Sequence, residues 1–284
     1  MLTFEHGGRR LAYTEYGSGP RTCVLLHGLL FSQKMHRPLG RELARRGNRV
    51  VTLDLLGHGA SDRPVDMTSY AMTFFGEQVI GLLDHLRVDE AVIAGTSLGA
   101  NTALEVAAIA PERVRGIVAE MPVLDNALLG SALTFTPLLV ALTFGAPAMR
   151  VLGRAARIVP SSRLWFADFL LDTVRQDPAP GAAVLQGLFF NRVAPHKNIR
   201  RTLTAPALVI GHRRDPVHPF SDADALAAEL PNARLLEAES IVELRLAPER
   251  LTDEIAGFLD DCWLPRTTRP GRRPRRTTKA TAAA

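Results

Sequence analysis

Ser97 is the residue of this chain whose neighbours best equip it as a nucleophile. It sits in Gly95-Thr96-Ser97-Leu98-Gly99, directly after the apolar run Ala91 to Ala94 and directly before the helical pattern Leu98 to Ile109. A sharp turn from strand to helix strains the residue at its tip and brings two backbone segments close together, so it needs small flanking residues. The helix that follows aims its unpaired N-terminal N–H groups at the serine, where they favour developing negative charge. Attack on a carbonyl carbon, with the resulting oxyanion held by backbone donors, is the chemistry such a turn suits.

A serine hydroxyl is a weak nucleophile at neutral pH without a base beside it. The chain has eight histidines and none after His218. His218 belongs to Asp215-Pro216-Val217-His218-Pro219, in the loop after the apolar run Ala207 to Ile210, and could bring an imidazole to the rim where Ser97 lies. His36 starts a helix near the expected pocket and is a candidate to line it. His85 follows Asp84 on a long helix, expected on its solvated face. His6, His196 and His212 have no motif around them.

The elements that must position these groups are legible as an alternation. Leu2 to Tyr16 alternates around Gly7-Gly8 and predicts a hairpin. Thr22–Leu26, Arg49–Leu55, Ala91–Ala94, Val114–Ala119, Ala207–Ile210 and Arg234–Leu236 are apolar runs, and continuous runs predict strands covered on both faces. Helical patterns over Arg37–Arg46, Tyr70–Leu86, Leu98–Ile109, Ser221–Leu230 and Pro248–Leu259 lie between them. The expected fold class is α/β, a mostly parallel, doubly wound sheet flanked by helices. From about residue 123 to 199 the alternation stops. That stretch predicts a helical lid inserted over the C-terminal strand ends, where such sheets bind ligands.

With these motifs the chain resembles the α/β-hydrolase superfamily over nearly everything except its basic tail. Leu25-Leu26-His27-Gly28 is similar to the family's first oxyanion loop, which implies that the backbone N–H of Leu29, beside Gly28, and that of Leu98 hold the oxyanion. Asp54-Leu55-Leu56-Gly57-His58-Gly59 with Ser61-Asp62-Arg63-Pro64 is similar to the loop after the next strand. In that family the histidines matching His27 and His58 mostly brace loops. Leu208-Val209-Ile210-Gly211 followed by Asp215-Pro216 resembles the family's acid turn, which implies that Asp215 orients and stabilises the base. Glu120 is the alternative acid, at the place used by the branch resembling bacterial haloalkane dehalogenases. That branch's own reaction is disfavoured, because its nucleophile is an aspartate and the position here is Ser97.

The chain departs from the family at the base. A Gly-His pair ordinarily follows the last strand, seven residues ahead of the proline that opens the final helix; counting back from Pro248 gives Ile241, preceded by Ser240. Three readings stay open: His218 is the base, a histidine of the lid or oxyanion loop serves, or the fold keeps its pocket for ligand binding without ordinary hydrolysis. The leading reading is hydrolysis of an ester or related acyl bond of a small, largely apolar substrate. The alternative is a catalytically impaired ligand-binding protein.

Composition limits the partners. Hydrophobic residues make up 46% of the 284, enough for a sizeable core, and residues 1–264 read as one domain. The net charge of +5 is smaller than the seven cations between Arg266 and Lys279, so the excess lies in residues 265–284, a basic tail expected to be disordered. No nucleic-acid partner is implied beyond weak contact by that tail. No cofactor and no metal are implied: there is no HExxH, no Cys/His cluster and no GxxxxGK. The N-terminal residues hold no apolar stretch of a secretory signal, so a cytoplasmic location is expected. Asp125 to Arg150 lacks charge in between, but Gly130, Pro137, Gly145 and Pro147 predict a pair of short apolar helices rather than a membrane span. A membrane-associated, lipase-like protein is the weaker rival reading. In the lid, Leu128, Leu129, Leu133, Phe135, Leu138, Leu139, Leu142 and Phe144 are candidates for an apolar roof.

Overall fold

The computed structural model describes residues 1–159, 171–215 and 217–264. The basic tail, 265–284, lies outside the described residues. Eight strands form one sheet in the order β1-β2-β4-β3-β5-β6-β7-β8. They are β1 (Leu2–His6), β2 (Arg9–Tyr16), β3 (Arg21–Leu26), β4 (Asn48–Asp54), β5 (Ala91–Thr96), β6 (Val114–Glu120), β7 (Ala207–Gly211) and β8 (Ala233–Glu237). The β1–β2 hairpin and the β2–β4 pair are antiparallel, and every later pairing is parallel.

Strand side chains alternate between faces, and here both faces are covered. Val24, Leu26, Val51, Leu53, Ile93 and Ile117 belong to the core on the side of α2 (Met72–His85) and α3 (Leu98–Ile109). Cys23, Leu25, Val50, Val92, Ala94 and Val118 belong to the other, on the side of α1 (Arg37–Arg45) and the C-terminal helix. Two-sided burial is why these strands read as unbroken apolar runs. Cys23 and Cys262 are both buried in the second core.

Between β6 and β7 come α4 (Leu128–Phe144), α5 (Ala146–Ile158), α6 (Pro178–Phe189) and the short α7 (Lys197–Arg200). The expected pair of short helices is in fact one long helix and the start of another. α4 runs through Gly130 and Pro137, and the break comes at Gly145, with a proline in the first turn of α5. A proline removes one intrahelical donor. α4 tolerates that loss while Phe135, Leu138, Leu139 and Leu142 pack against Ala182 and Leu185 of α6. The chain closes with α8 (Phe220–Glu229), α9 (Glu243–Leu246) and α10 (Glu249–Trp263).

Parallel register sets what meets at the rim. Thr96 pairs with Glu120, and Glu120 with Ile210, so β5, β6 and β7 end side by side. The residues that leave these strands, Ser97, Met121 and the loop after Gly211, therefore emerge together.

Candidate active site

Ser97 stands at the tip of the β5–α3 turn with φ +54° and ψ −111°, a left-handed conformation that a residue with a side chain adopts only at a cost. Its N–H donates to the Glu120 carbonyl at 2.8 Å, which pins the strained residue to β6. The glycines of the motif are required by contact. A methyl group on Gly95 would overlap the Gly99 backbone, and one on Gly99 would overlap the Leu26 carbonyl.

His218 reaches this serine. Its Nε2 lies 2.9 Å from Ser97 Oγ, and its Nδ1 lies 2.9 Å from Asp215 Oδ2. With the proton on Nδ1, the ring donates to the carboxylate and leaves Nε2 free to accept from the serine hydroxyl. The turn that carries both residues holds itself together: Asp215 Oδ1 accepts the backbone N–H groups of Val217 (2.8 Å) and His218 (2.9 Å). Burial pushes the Asp215 carboxyl up. The hydrogen bond and charge of His218, with the two amides, outweigh that and hold it below the usual carboxylate range. The acid and the imidazole thus come from one loop, three residues apart.

The other histidines are engaged elsewhere. His27 Nε2 accepts the Leu55 N–H at 3.0 Å, and the His27 and His58 rings lie 4.7 Å apart in the interior. Burial pushes both below the usual imidazole value, in keeping with loop-bracing. His36 does not line a pocket: it is 3% exposed and its Nε2 donates to the Leu26 carbonyl at 2.9 Å. Burial, then the Arg245 charge, lowers its pKa to about 3. His85 is exposed, with its ring against Phe4 and its Nε2 3.2 Å from the Tyr13 hydroxyl. His196 receives the Asn198 N–H, His212 lies 3.2 Å from the Glu239 carbonyl, and His6 packs over Gly81.

Glu120 faces a different partner from the one an acid would need. Arg245 of α9 donates to its Oε2 at 2.7 Å and Oε1 at 3.2 Å, and Thr96 also donates to it. Arg245 donates to the Thr96 hydroxyl oxygen as well, at 2.8 Å. Ile241 is exposed on the loop after β8. A guanidinium from just beyond it, rather than an imidazole, therefore lies against the β5–α3 turn. Nothing in the sequence pointed to Arg245, because its partners are 125 and 149 residues away.

Leu98 opens α3, and the loop carrying Gly28 and Leu29 lies against the nucleophile turn, with Leu26 beside Gly99 and Gly28 beside Thr96. Among the described residues, neither the Leu29 nor the Leu98 amide has a hydrogen-bond partner. Leu29 and Leu30 form one apolar cluster with Phe135, Leu138, Leu139 and Leu142 of α4. The other half of the expected roof, Leu128, Leu129, Leu133 and Phe144, is exposed and takes no part in that cluster. Leu129, Leu133 and Phe144 lie on the opposite face of the helix, whereas Leu128 is on the same face, two turns ahead of Phe135. An all-apolar helix has no polar face to reveal which side turns inward.

Two buried polar side chains fasten the inserted helices. Asp222, fully buried on α8, accepts the N–H groups of Leu124 (2.6 Å), Asn126 and Ala127 (both 3.0 Å). Asn101 of α3 donates to the carbonyls of Val123 and Val193, both at 2.7 Å. Among the described residues no group of three or more His, Cys, Asp or Glu side chains could hold a metal ion.

Comparison with known proteins places the chain. The family model described as alpha/beta hydrolase fold matches residues 22–240. The 2-hydroxymuconate semialdehyde hydrolase of Pseudomonas putida is 30% identical over 199 residues, 66% of this chain and 67% of that protein. The bifunctional epoxide hydrolase 2 of Mus musculus is 36% identical over 110 residues, 39% of this chain. The match spans only 20% of that relative, and 20–33% of several others. Among solved structures, the enol-lactonase from Burkholderia xenovorans LB400 superposes with a TM-score of 0.76 at 23% identity, covering 91% of this chain and all of that one.

Proposed function

Since the chain belongs to the family of the α/β-hydrolase fold, we propose that it is a serine hydrolase cleaving an ester or related acyl bond of a small, largely apolar substrate. The observation that carries this reading is the 2.9 Å approach of His218 Nε2 to Ser97 Oγ, with Asp215 on the far side of the ring. Ser97 Oγ attacks the substrate carbonyl while His218 Nε2 takes its proton, and Asp215 stabilises the imidazolium. The amides of Leu29, beside Gly28, and of Leu98 receive the oxyanion. His218 then returns the proton to the leaving oxygen. Water, deprotonated by the same nitrogen, releases the acyl group from Ser97.

Phe135, Leu138, Leu139 and Leu142 above Leu29 and Leu30 supply the apolar wall, with α4–α6 acting as a lid. Hydrolase names among the relatives support the reaction class. The lack of an imidazole at Ile241 favours a non-catalytic role, and the approach of His218 to Ser97 weighs against it. Two cysteines, Cys23 and Cys262, both buried, are in keeping with the expected cytoplasmic location.

The test is covalent labelling with a fluorophosphonate, followed by turnover of short p-nitrophenyl esters. Labelling is expected in the wild type and absent in Ser97→Ala. Turnover by His218→Ala is expected to fall about 10⁴-fold or more. An unlabelled wild type with no ester turnover, or a His218→Ala variant of unchanged rate, would sink the reading.

A further inference from the structure

The helices between β6 and β7 present an apolar surface that stays exposed among the described residues. Within Asp125–Phe144 an 18-residue stretch has a mean hydropathy of 1.8, yet only 11% of that stretch is buried. Its inner face is spoken for by Phe135, Leu138, Leu139 and Leu142. Its outer face carries Leu129, Leu133, Val140 and Phe144, with Leu133 69% and Phe144 81% exposed. These four are spaced four, seven and four residues apart and form one stripe along the helix. A helix apolar on all sides belongs in a core or in lipid, and a contiguous exposed patch of this kind marks a surface that meets something.

α5, joined to the same apolar cluster through Met149, exposes further apolar groups and adds charge. Val151, Leu152 and Ile158 are exposed on it, and so are Arg150, Arg154 and Arg157. Arg150 pairs with Asp177 and Arg157 donates to the Arg175 carbonyl, while Arg154 has no partner among the described residues. From Asn126 to Ala167 the sequence holds no Asp or Glu. The surface is thus apolar and purely cationic along its own helices.

We infer that the outer faces of α4 and α5 dock on an anionic lipid surface, lying in the interface rather than crossing it. The side chains match that environment: leucines, valines and phenylalanine enter the acyl boundary while arginines meet headgroup phosphates. A second copy of the chain is a poorer occupant, because α4 and α5 carry no acid of their own to pair with the other copy's arginines, and Asp177 beside them is already engaged by Arg150. Crossing the bilayer is disfavoured by the inner face, which would have to leave Leu29, Leu30 and Leu185. Docking leaves those contacts in place and sets the lipid about one helix diameter, roughly 10 Å, from the loop beside Ser97. An apolar substrate dissolved in lipid would then face a short path to the site.

The experiment is co-sedimentation of the full chain with phosphatidylcholine vesicles, with and without phosphatidylglycerol. Binding is expected with the anionic vesicles, weaker without them, and falling as salt rises. Leu133→Ser/Phe144→Ser should cut the partition coefficient about tenfold or more, and Arg154→Gln about fivefold. Both variants should keep the wild-type circular dichroism and melting temperature, because the altered side chains are exposed. A third variant addresses the basic tail: Arg272→Gln/Arg273→Gln/Arg275→Gln/Arg276→Gln should still bind and still respond to the Leu133/Phe144 changes. No binding by the wild type overturns the proposal. So does binding that survives Leu133→Ser/Phe144→Ser but disappears with the tail charges. A solution dimer that those two serines disperse would assign the face to a second copy instead.

Discussion

Replacing Arg245 with methionine would leave Glu120 charged against the β5–α3 turn with only the Thr96 hydroxyl as a side-chain partner. The Glu120 and Arg245 side chains are 5% and 10% exposed, so water cannot take over the three hydrogen bonds that the guanidinium makes to Glu120 and Thr96. Removing one member of a buried pair costs about 3–5 kcal/mol. The slight exposure of Arg245 puts this pair near the lower end, about 3 kcal/mol. Adding Glu120→Gln removes the stranded charge and should restore about 2 kcal/mol of the loss. Urea unfolding of the wild type, both single variants and the double variant gives that coupling directly. The Glu120 carbonyl also holds the Ser97 N–H at 2.8 Å. Turnover of a p-nitrophenyl ester by Arg245→Met should therefore lose kcat with little change in KM. A cost below about 1 kcal/mol, with additive single and double variants, would refute the argument and reduce the pair to a solvent-screened one.

Three further outcomes follow from other contacts. Gly99→Ala places a methyl group on the Leu26 carbonyl, so the turn must shift; a loss of about 2–3 kcal/mol in urea unfolding and most of the esterase activity is expected. Asp222→Ala orphans three amides, two of them buried, and should cost about 3 kcal/mol in the same assay while speeding proteolysis near Leu124. His36, with its pKa lowered to about 3, stays neutral while the unfolded chain takes up a proton below about 6.5. Its contribution is intact above that value and falls as the pH drops, by about 2 kcal/mol between pH 6.5 and 5. His36→Gln keeps a donor for the Leu26 carbonyl and should flatten this part of the stability profile; an equal acid slope in both proteins would count against it.

Much of the architecture is written in short spans. Gly7-Gly8 marks a hairpin because both residues adopt positive φ. The runs at Thr22, Arg49, Ala91 and Val114 mark strands because both sheet faces are covered. Spacing failed where its physical basis was missing. Gly130 and Pro137 looked like breaks in α4, yet packing on α6 outweighs one lost donor. Apolar residues on every side of α4 left its inward face unmarked, so Leu129 and Leu133 were grouped with Leu138 and Leu142.

The proposed base shows the same division. By itself the sequence determined the strand–Ser97–helix turn, the loops of Gly28 and Asp215, and the replacement of the usual histidine by Ile241, because each depends on neighbours a few residues apart. Whether His218 turns toward Ser97 depends on how β5 and β7 flank β6, and the two side chains are 121 positions apart. Only the tertiary structure decided that contact, the capture of Glu120 by Arg245, and the outward stripe of α4. Each joins segments whose proximity comes from strand order and helix packing, which no local run of residues encodes.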